Sequence, residues 1–192
     1  MKHPCRALLF AAAALASLPH GAAAQTYRID PDHTFPSFEV PHLRISLFRG
    51  QFTRTQGTIV LDRAAGTGMV DIVIDAASLR FGHPVMDKKM QEPDYFDVQK
   101  HPQITYRGRT MRFENGRPVE IQGELTLLGN TRPLALKVLS FNCVEHPLLK
   151  KEVCGADATG SFDRTDFGLA TGAQRHGSSV TLRIQVEGVR AD

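Results

Sequence analysis

Between residues 27 and 190 the chain alternates apolar and polar side chains in one short segment after another. A period of two is what a strand with one dry face and one wet face requires, and it leaves little room for helices. The last segment is the clearest: Val180, Leu182, Ile184 and Val186 face one way, and Thr181, Arg183, Gln185 and Glu187 the other. Val119, Ile121, Leu125 and Leu127 alternate in the same manner with Glu120, Gln122, Glu124 and Thr126, and Val70, Ile72 and Ile74 with Asp71 and Asp75. Gly123 falls on the apolar side of its segment, as expected where the chain bends or a bulky neighbour needs room.

Turn signals separate the segments: Asp62 to Gly66, Glu114-Asn115-Gly116 and Leu128-Gly129-Asn130. Short turns make successive strands antiparallel neighbours. The expected strands are 27–40, 51–62, 68–75, 103–113, 117–128, 131–143, 154–164 and 178–190, eight in all. Eight antiparallel strands in up-and-down order can close into a barrel and remove the edges that invite aggregation. The reading is therefore an all-β chain, an eight-stranded antiparallel barrel, with a β-sandwich as the main alternative. Only 76–100 interrupts the pattern, where Val85 to Met90 suggest a short amphipathic helix and Pro93-Asp94-Tyr95-Phe96 a turn. An insert of that length reads as a helical lid over a barrel mouth.

The first 24 residues read as a cleavable signal peptide. Lys2 and Arg6 precede an apolar run from Ala7 to Leu18, and Ala22-Ala23-Ala24 supplies the small residues of a cleavage site. The run is shorter than the about 20 residues a spanning helix needs. Cleavage after Ala24 would leave one domain, residues 25–192, in the periplasm or outside the cell, and would bring the net charge of +3 close to neutral. Such a balance gives no electrostatic footprint for nucleic acid. In an oxidising compartment Cys143 and Cys154 are expected to be bridged, which the chain-entropy model values at about 3 kcal/mol. No Cys-x-x-Cys is present to support a redox or metal reading.

Four ordered stretches carry a family likeness. The first runs from Tyr27-Arg28-Ile29-Asp30 through His33-Thr34-Phe35-Pro36-Ser37-Phe38-Glu39-Val40-Pro41-His42-Leu43 into Gly50-Gln51-Phe52 and Gly57-Thr58-Ile59. The others are Asp94-Tyr95-Phe96-Asp97 with His101 to Tyr106, Gly123 to Leu134, and Gly160 to Gly168. With them the chain resembles the YceI-like polyisoprenoid-binding family along nearly its whole length after residue 25. The resemblance implies a lipocalin-like barrel with an elongated interior that holds an isoprenoid chain, as a quinone or a polyprenyl phosphate, carried or stored in the periplasm. The expected partners are that isoprenoid lipid or quinone, with transient contact with a membrane and no nucleic acid, in a monomer or homodimer. No cofactor is required beyond the bound lipid.

An isoprenoid tail has no hydrogen-bonding groups, so its site needs a dry wall with polar groups only near the head-group end. The wall candidates are Phe38, Val40, Val70, Ile72, Ile74, Val119, Ile121, Leu125, Leu127, Leu182, Ile184 and Val186. Each buried tail carbon would contribute roughly 0.8 kcal/mol before ordering costs. The same residues would equally suit a filled core, and periodicity alone does not separate the two. Head-group candidates are Arg44, Arg80, Lys89 and Arg164, against the plainer reading of a solvated rim and, for Arg164 with Asp166, a salt bridge or turn-stabilising hydrogen bond. Related chains often carry His and Arg in the lid where this one has Lys89 and Gln91. A lysine offers a point charge and no fork, which tilts the expectation from a pyrophosphate towards a quinone.

Two rival classes remain open at this point. A hydrolase would need a nucleophile, a base and an oxyanion site. No Gly-x-Ser-x-Gly elbow appears, and Ser178 and Ser179 beside His176 read as turn residues. A structural or stress protein with a filled barrel would act through a protein partner. A metal shared by His33 and His42 is disfavoured, since nine extended residues separate them by about 30 Å.

Overall fold

A computed structural model describes residues 24–192. The signal-peptide expectation falls almost wholly outside these residues.

Eight hydrogen-bonded strands close into a ring: β1 (Gln25–Ile29), β4 (Thr55–Asp62), β5 (Thr67–Asp75), β7 (Gln103–Glu114), β8 (Arg117–Leu127), β9 (Asn130–Glu145), β10 (Glu152–Asp163) and β11 (Ser179–Arg190), with β11 returning to β1. Every pairing is antiparallel, as short turns demand. The expected eight-stranded barrel is observed. Three strands lie outside that ring: β2 (Phe35–His42) and β3 (Ser46–Phe52), where expected strands are broken in two, and β6 (Leu79–Arg80), a short strand within the expected insert 76–100. The first breaks at residues 30–34, where Asp32 N–H donates to Asp30 Oδ1 at 3.0 Å. Its upper half, β2, still pairs with β11, through Phe38 opposite Leu182. The second breaks at Thr53 and Arg54, where the Arg54 N–H donates to the fully buried Ser78 hydroxyl. The strands β2, β3 and β6 thus extend the wall at one end, and residues 81–102 follow directly from β6 as a lid.

Three bulges set which residues face inward. Arg109 has no partner between Gly108 opposite Gly123 and Thr110 opposite Gln122. Val119 is passed over between Glu120 opposite Arg112 and Pro118 opposite Phe113. Leu139 is passed over between Val138 opposite Ala158 and Ser140 opposite Asp157. One extra residue on a period of two turns the rest of the strand over. Arg109 accordingly reaches outward to Asp71 in a bidentate pair at 2.8 Å, and Leu139 lies on the solvent side, 54% exposed.

Gly123 has the bulky neighbour its place suggests. A Cβ there would lie 2.7 Å from the Tyr106 ring and 2.6 Å from the Arg107 carbonyl. Tyr106 crosses this gap buried, its hydroxyl donating to the carbonyls of Leu134 at 3.1 Å and Ile121 at 3.3 Å.

At the end remote from the lid, Cys143 and Cys154 face each other across β9 and β10 and are bonded. Beside them the buried Tyr27 donates its hydroxyl to Glu152, whose carboxylate also takes the Arg63 guanidinium at 3.0 Å. Burial, and then the bond to Glu152, push the Tyr27 phenol up to about 12. Burial works against the Glu152 charge, but Tyr27 and Arg63 hold that carboxyl below its ordinary value.

Candidate functional site

The barrel encloses a cavity of about 410 Å³ that opens beneath the lid. Of the twelve wall candidates, eleven line it: Phe38, Val40, Val70, Ile72, Ile74, Ile121, Leu125, Leu127, Leu182, Ile184 and Val186. Val119 does not. It is the bulge residue of β8, and the phase reversal puts Pro118 inward in its place. The chain also brings in residues that were not singled out, among them Tyr27, Ile104, Tyr106, Met111, Leu134 and Leu136. The pairs Ile104 with Tyr106 and Leu134 with Leu136 carry the same period of two and were legible on that ground. Met111 was not, because it reaches the interior only through the bulge at Arg109.

The lid is anchored by its own apolar residues. His83 accepts from the Met86 N–H at 3.4 Å and caps α1 (Pro84–Lys89), whose first residue is a proline suited to that position. Asp87 accepts from the Phe81 N–H at 2.6 Å. Phe96 and Val98 are buried, and the Phe96 ring meets Phe52 edge-on at 5.9 Å. Met86, Lys89, Met90, Tyr95 and Phe96 turn towards the cavity. The rim opposite α1 is aromatic. His42 stacks on Phe48 at 4.0 Å and on His176 at 4.8 Å, and Phe81 packs against Phe38 at 5.8 Å. His176 belongs to α2 (Ala173–His176) and accepts from the Leu43 N–H through Nδ1 at 3.2 Å.

The four basic candidates separate. Lys89 and Arg164 line the cavity, whereas Arg44 and Arg80 do not. Arg44 sits at the exposed tip of the β2–β3 turn. Arg80 folds back to donate to the Ala77 and Leu79 carbonyls at 3.1 and 2.6 Å. Lys89 is paired with Glu92, which holds its ammonium above the ordinary value, and lies 5.7 Å from the Tyr95 ring centre. Arg164 is 8% exposed and forms no pair with Asp166. Its guanidinium instead donates to the carbonyls of Leu169 at 2.8 Å, Thr171 at 2.9 Å and Gly177 at 3.3 Å. These bonds tie down the segment 164–178 at the mouth. Burial lowers the Arg164 pKa, and the nearby Asp163 opposes that shift. The turn-stabilising role expected for Arg164 is therefore met by carbonyls and not by a carboxylate.

Polar atoms deep in the cavity are few. Thr34 is spent on the Glu187 backbone, whose N–H it accepts at 3.1 Å and whose carbonyl it meets at 3.2 Å. Thr55 Oγ1 is a buried side-chain oxygen without a hydrogen-bond partner among the described residues. Ser178 gives its hydroxyl to Asp163 and leaves no serine–histidine pair with His176, which is engaged by Leu43. His33 and His42 do not meet. His33 bonds Asp30 at 2.8 Å, with Glu187 the third member of a half-exposed cluster, while His42 stands at the mouth.

A family model described as YceI-like domain matches residues 27–188. The chain belongs to the YceI-like family. Protein YceI of Escherichia coli is 30% identical over 172 residues, covering 88% of this chain and 89% of that one. Among solved structures, BcnA of Burkholderia cenocepacia superposes with a TM-score of 0.68 at 18% identity, covering 83% of this chain and 98% of that one. A polyisoprenoid binding domain from Saccharophagus degradans superposes with a TM-score of 0.60 at 14% identity, over 87% and 99% of the two chains. At such identities the superpositions speak for the YceI-like barrel alone.

Proposed function

We propose that this YceI-like barrel binds the tail of one isoprenoid lipid in its cavity and carries or stores it in the periplasm, without turning it over. The observation that carries the reading is the enclosed, almost wholly apolar cavity beneath an anchored lid. Its volume lies within the roughly 300–1,000 Å³ of small-molecule sites, and a filled core would leave no such space. The Saccharophagus degradans domain of the same fold, described as polyisoprenoid-binding, supports the ligand class. The Cys143–Cys154 bridge supports an oxidising compartment.

Lys89 and Arg164 mark the end where a head group would lie. Neither offers a phosphate a free fork of donors. Lys89 is already paired with Glu92, and Arg164 directs most of its N–H groups to three carbonyls. A neutral quinone ring, which asks for one or two hydrogen bonds and aromatic neighbours, suits this rim better than a pyrophosphate that needs forked donors. The test is mass spectrometry of an organic extract from protein purified without detergent, beside an extract of an unrelated exported barrel. An isoprenoid quinone near one per protein is the expected result. An extract that stays empty after incubation with quinones and polyprenyl phosphates would overturn the reading.

A further inference from the structure

The turn between β2 and β3 is unlike the other tight hairpins of the barrel. Asn115-Gly116 and Leu128-Gly129 place glycine at the second left-handed position, with φ of 74° at both glycines. The β2–β3 turn places Leu43 and Arg44 in that region, at φ 52° and 60°, and closes with the Ile45 N–H on the His42 carbonyl at 3.0 Å. A bulky side chain is unfavourable there, and stability alone would select Asn-Gly. The side chains held out at this cost are an apolar pair around a cation. Leu43 and Leu47 are about half exposed and Ile45 is 80% exposed. Across the mouth, Val85 on the lid helix is 73% exposed.

Three cations around the mouth are unpaired. Arg44, Lys88 and Arg175 are exposed, and no ion pair forms with any of them among the described residues. Of the four lid carboxylates only Glu92 is neutralised, by Lys89; Asp87 accepts the Phe81 N–H, and Asp94 and Asp97 lie further along the lid. Protruding aliphatic side chains interleaved with unpaired cations are the composition that enters an anionic lipid interface. None of Leu43, Ile45 and Val85 lines the cavity, so they are not needed to hold a ligand within it, yet all surround its opening.

We propose that the open end of the barrel docks on an anionic phospholipid bilayer, with Leu43, Ile45 and Val85 entering the interface and Arg44, Lys88 and Arg175 on the phosphate groups. The proposal rests on the reading of the cavity as a site for a membrane lipid, since docking brings the opening to the source of that lipid. The far end supplies a control. Leu148 is 86% exposed there on the β9–β10 loop, beside Leu149.

The mature protein is cosedimented with vesicles of phosphatidylcholine, with and without phosphatidylglycerol, and the same proteins are loaded with an isoprenoid quinone from detergent micelles. Binding is expected only with phosphatidylglycerol, weakening with salt and falling about tenfold in Ile45→Asp and in Arg44→Glu. Leu148→Ser is expected to bind vesicles like the parent, and all three variants to load from micelles like the parent. Vesicle binding that is absent, indifferent to the mouth variants, or lost in Leu148→Ser overturns the proposal while normal loading leaves the cavity reading standing. Failure to load with vesicle binding intact overturns the cavity reading and leaves the docking surface supported.

Discussion

The two ends of the barrel are built from different interactions. The far end is held by a covalent bridge and a buried polar contact, Cys143 to Cys154 and Tyr27 to Glu152 with Arg63. The lid end is held by aromatic faces, half-buried methionines and hydrogen bonds from Arg164 to loop carbonyls. Covalent and buried polar contacts fix one geometry, whereas apolar contacts between a short helix and a rim can separate and re-form at small cost. A barrel that must admit a long apolar chain needs both properties, at opposite ends. The two designs predict that damage at the far end weakens the whole barrel and spares loading, whereas damage at the lid end opens the mouth segment first and impairs loading.

Arg164 offers the largest effect and the sharpest test. Arg164→Leu strands the Leu169, Thr171 and Gly177 carbonyls near the mouth and should cost about 4 kcal/mol. Hydrogen exchange should show the loss first in residues 164–178, with β9 and β10 near the bridge still protected. Arg164→Lys separates two roles. A lysine keeps the charge but not the fork, so a carbonyl-tying role predicts most of the same loss of stability, whereas a head-group role alone predicts normal stability and weaker loading. Uniform loss of protection across the barrel would break the comparison between the ends.

At the far end, replacing Cys143 and Cys154 by serine together should lower stability by about 3 kcal/mol, for the short loop that the bridge closes. Denaturant unfolding measures the loss, and loading with a micellar quinone should be unchanged. Tyr27→Phe should cost about 2 kcal/mol, the worth of a hydrogen bond to a charged acceptor. It should also change the pH profile. Tyr27 is raised from 10.0 to about 12 when folded, so its contribution is complete below pH 10 and lost as pH rises through about 12. Glu152 is lowered, so its contribution is complete above its ordinary pKa of 4.5 and lost as pH falls. The Phe variant should show a shallower alkaline decline between pH 10 and 12 than the parent; an unchanged slope would remove Tyr27 as its source.

Much of this architecture was legible because period two is a direct readout of a strand with one buried face. All eight strands and the lid follow from it and from the turn residues, and the cysteine pair follows from the oxidising compartment that the first 24 residues imply. What escaped were features that period two does not encode. The break at residues 30–34 has a signal of its own, Pro31 between Asp30 and Asp32, which the expected strand 27–40 passes over, whereas the break at Thr53 and Arg54 shows only in the bond to Ser78. The bulges at Arg109, Val119 and Leu139 reverse the phase without a glycine or proline at the extra position, which misplaced Val119 and hid Met111. Side-chain partners escaped as well. Nothing local in the sequence says that Arg164 would take carbonyls in preference to Asp166, because that choice depends on where residues 169–177 cross the mouth.

Lys89 carries the smallest expected effect and divides the ligand classes. The Lys89→Gln variant loses only a solvent-exposed pair with Glu92, so thermal unfolding should stay at the parent's midpoint. A single half-exposed charge near a phosphate should change affinity by about fivefold, less at high salt, and should not matter to a neutral ring. Titration of the variant with a polyprenyl phosphate and with a quinone, both from micelles, reads the two cases side by side. Equal affinity of parent and variant for the quinone, with about fivefold weaker binding of the phosphate, is expected. Quinone binding that weakens as much as phosphate binding would mean that Lys89 acts by packing its stem against Tyr95 and so closing the lid, and the charge at the mouth would then play no part in choosing the ligand.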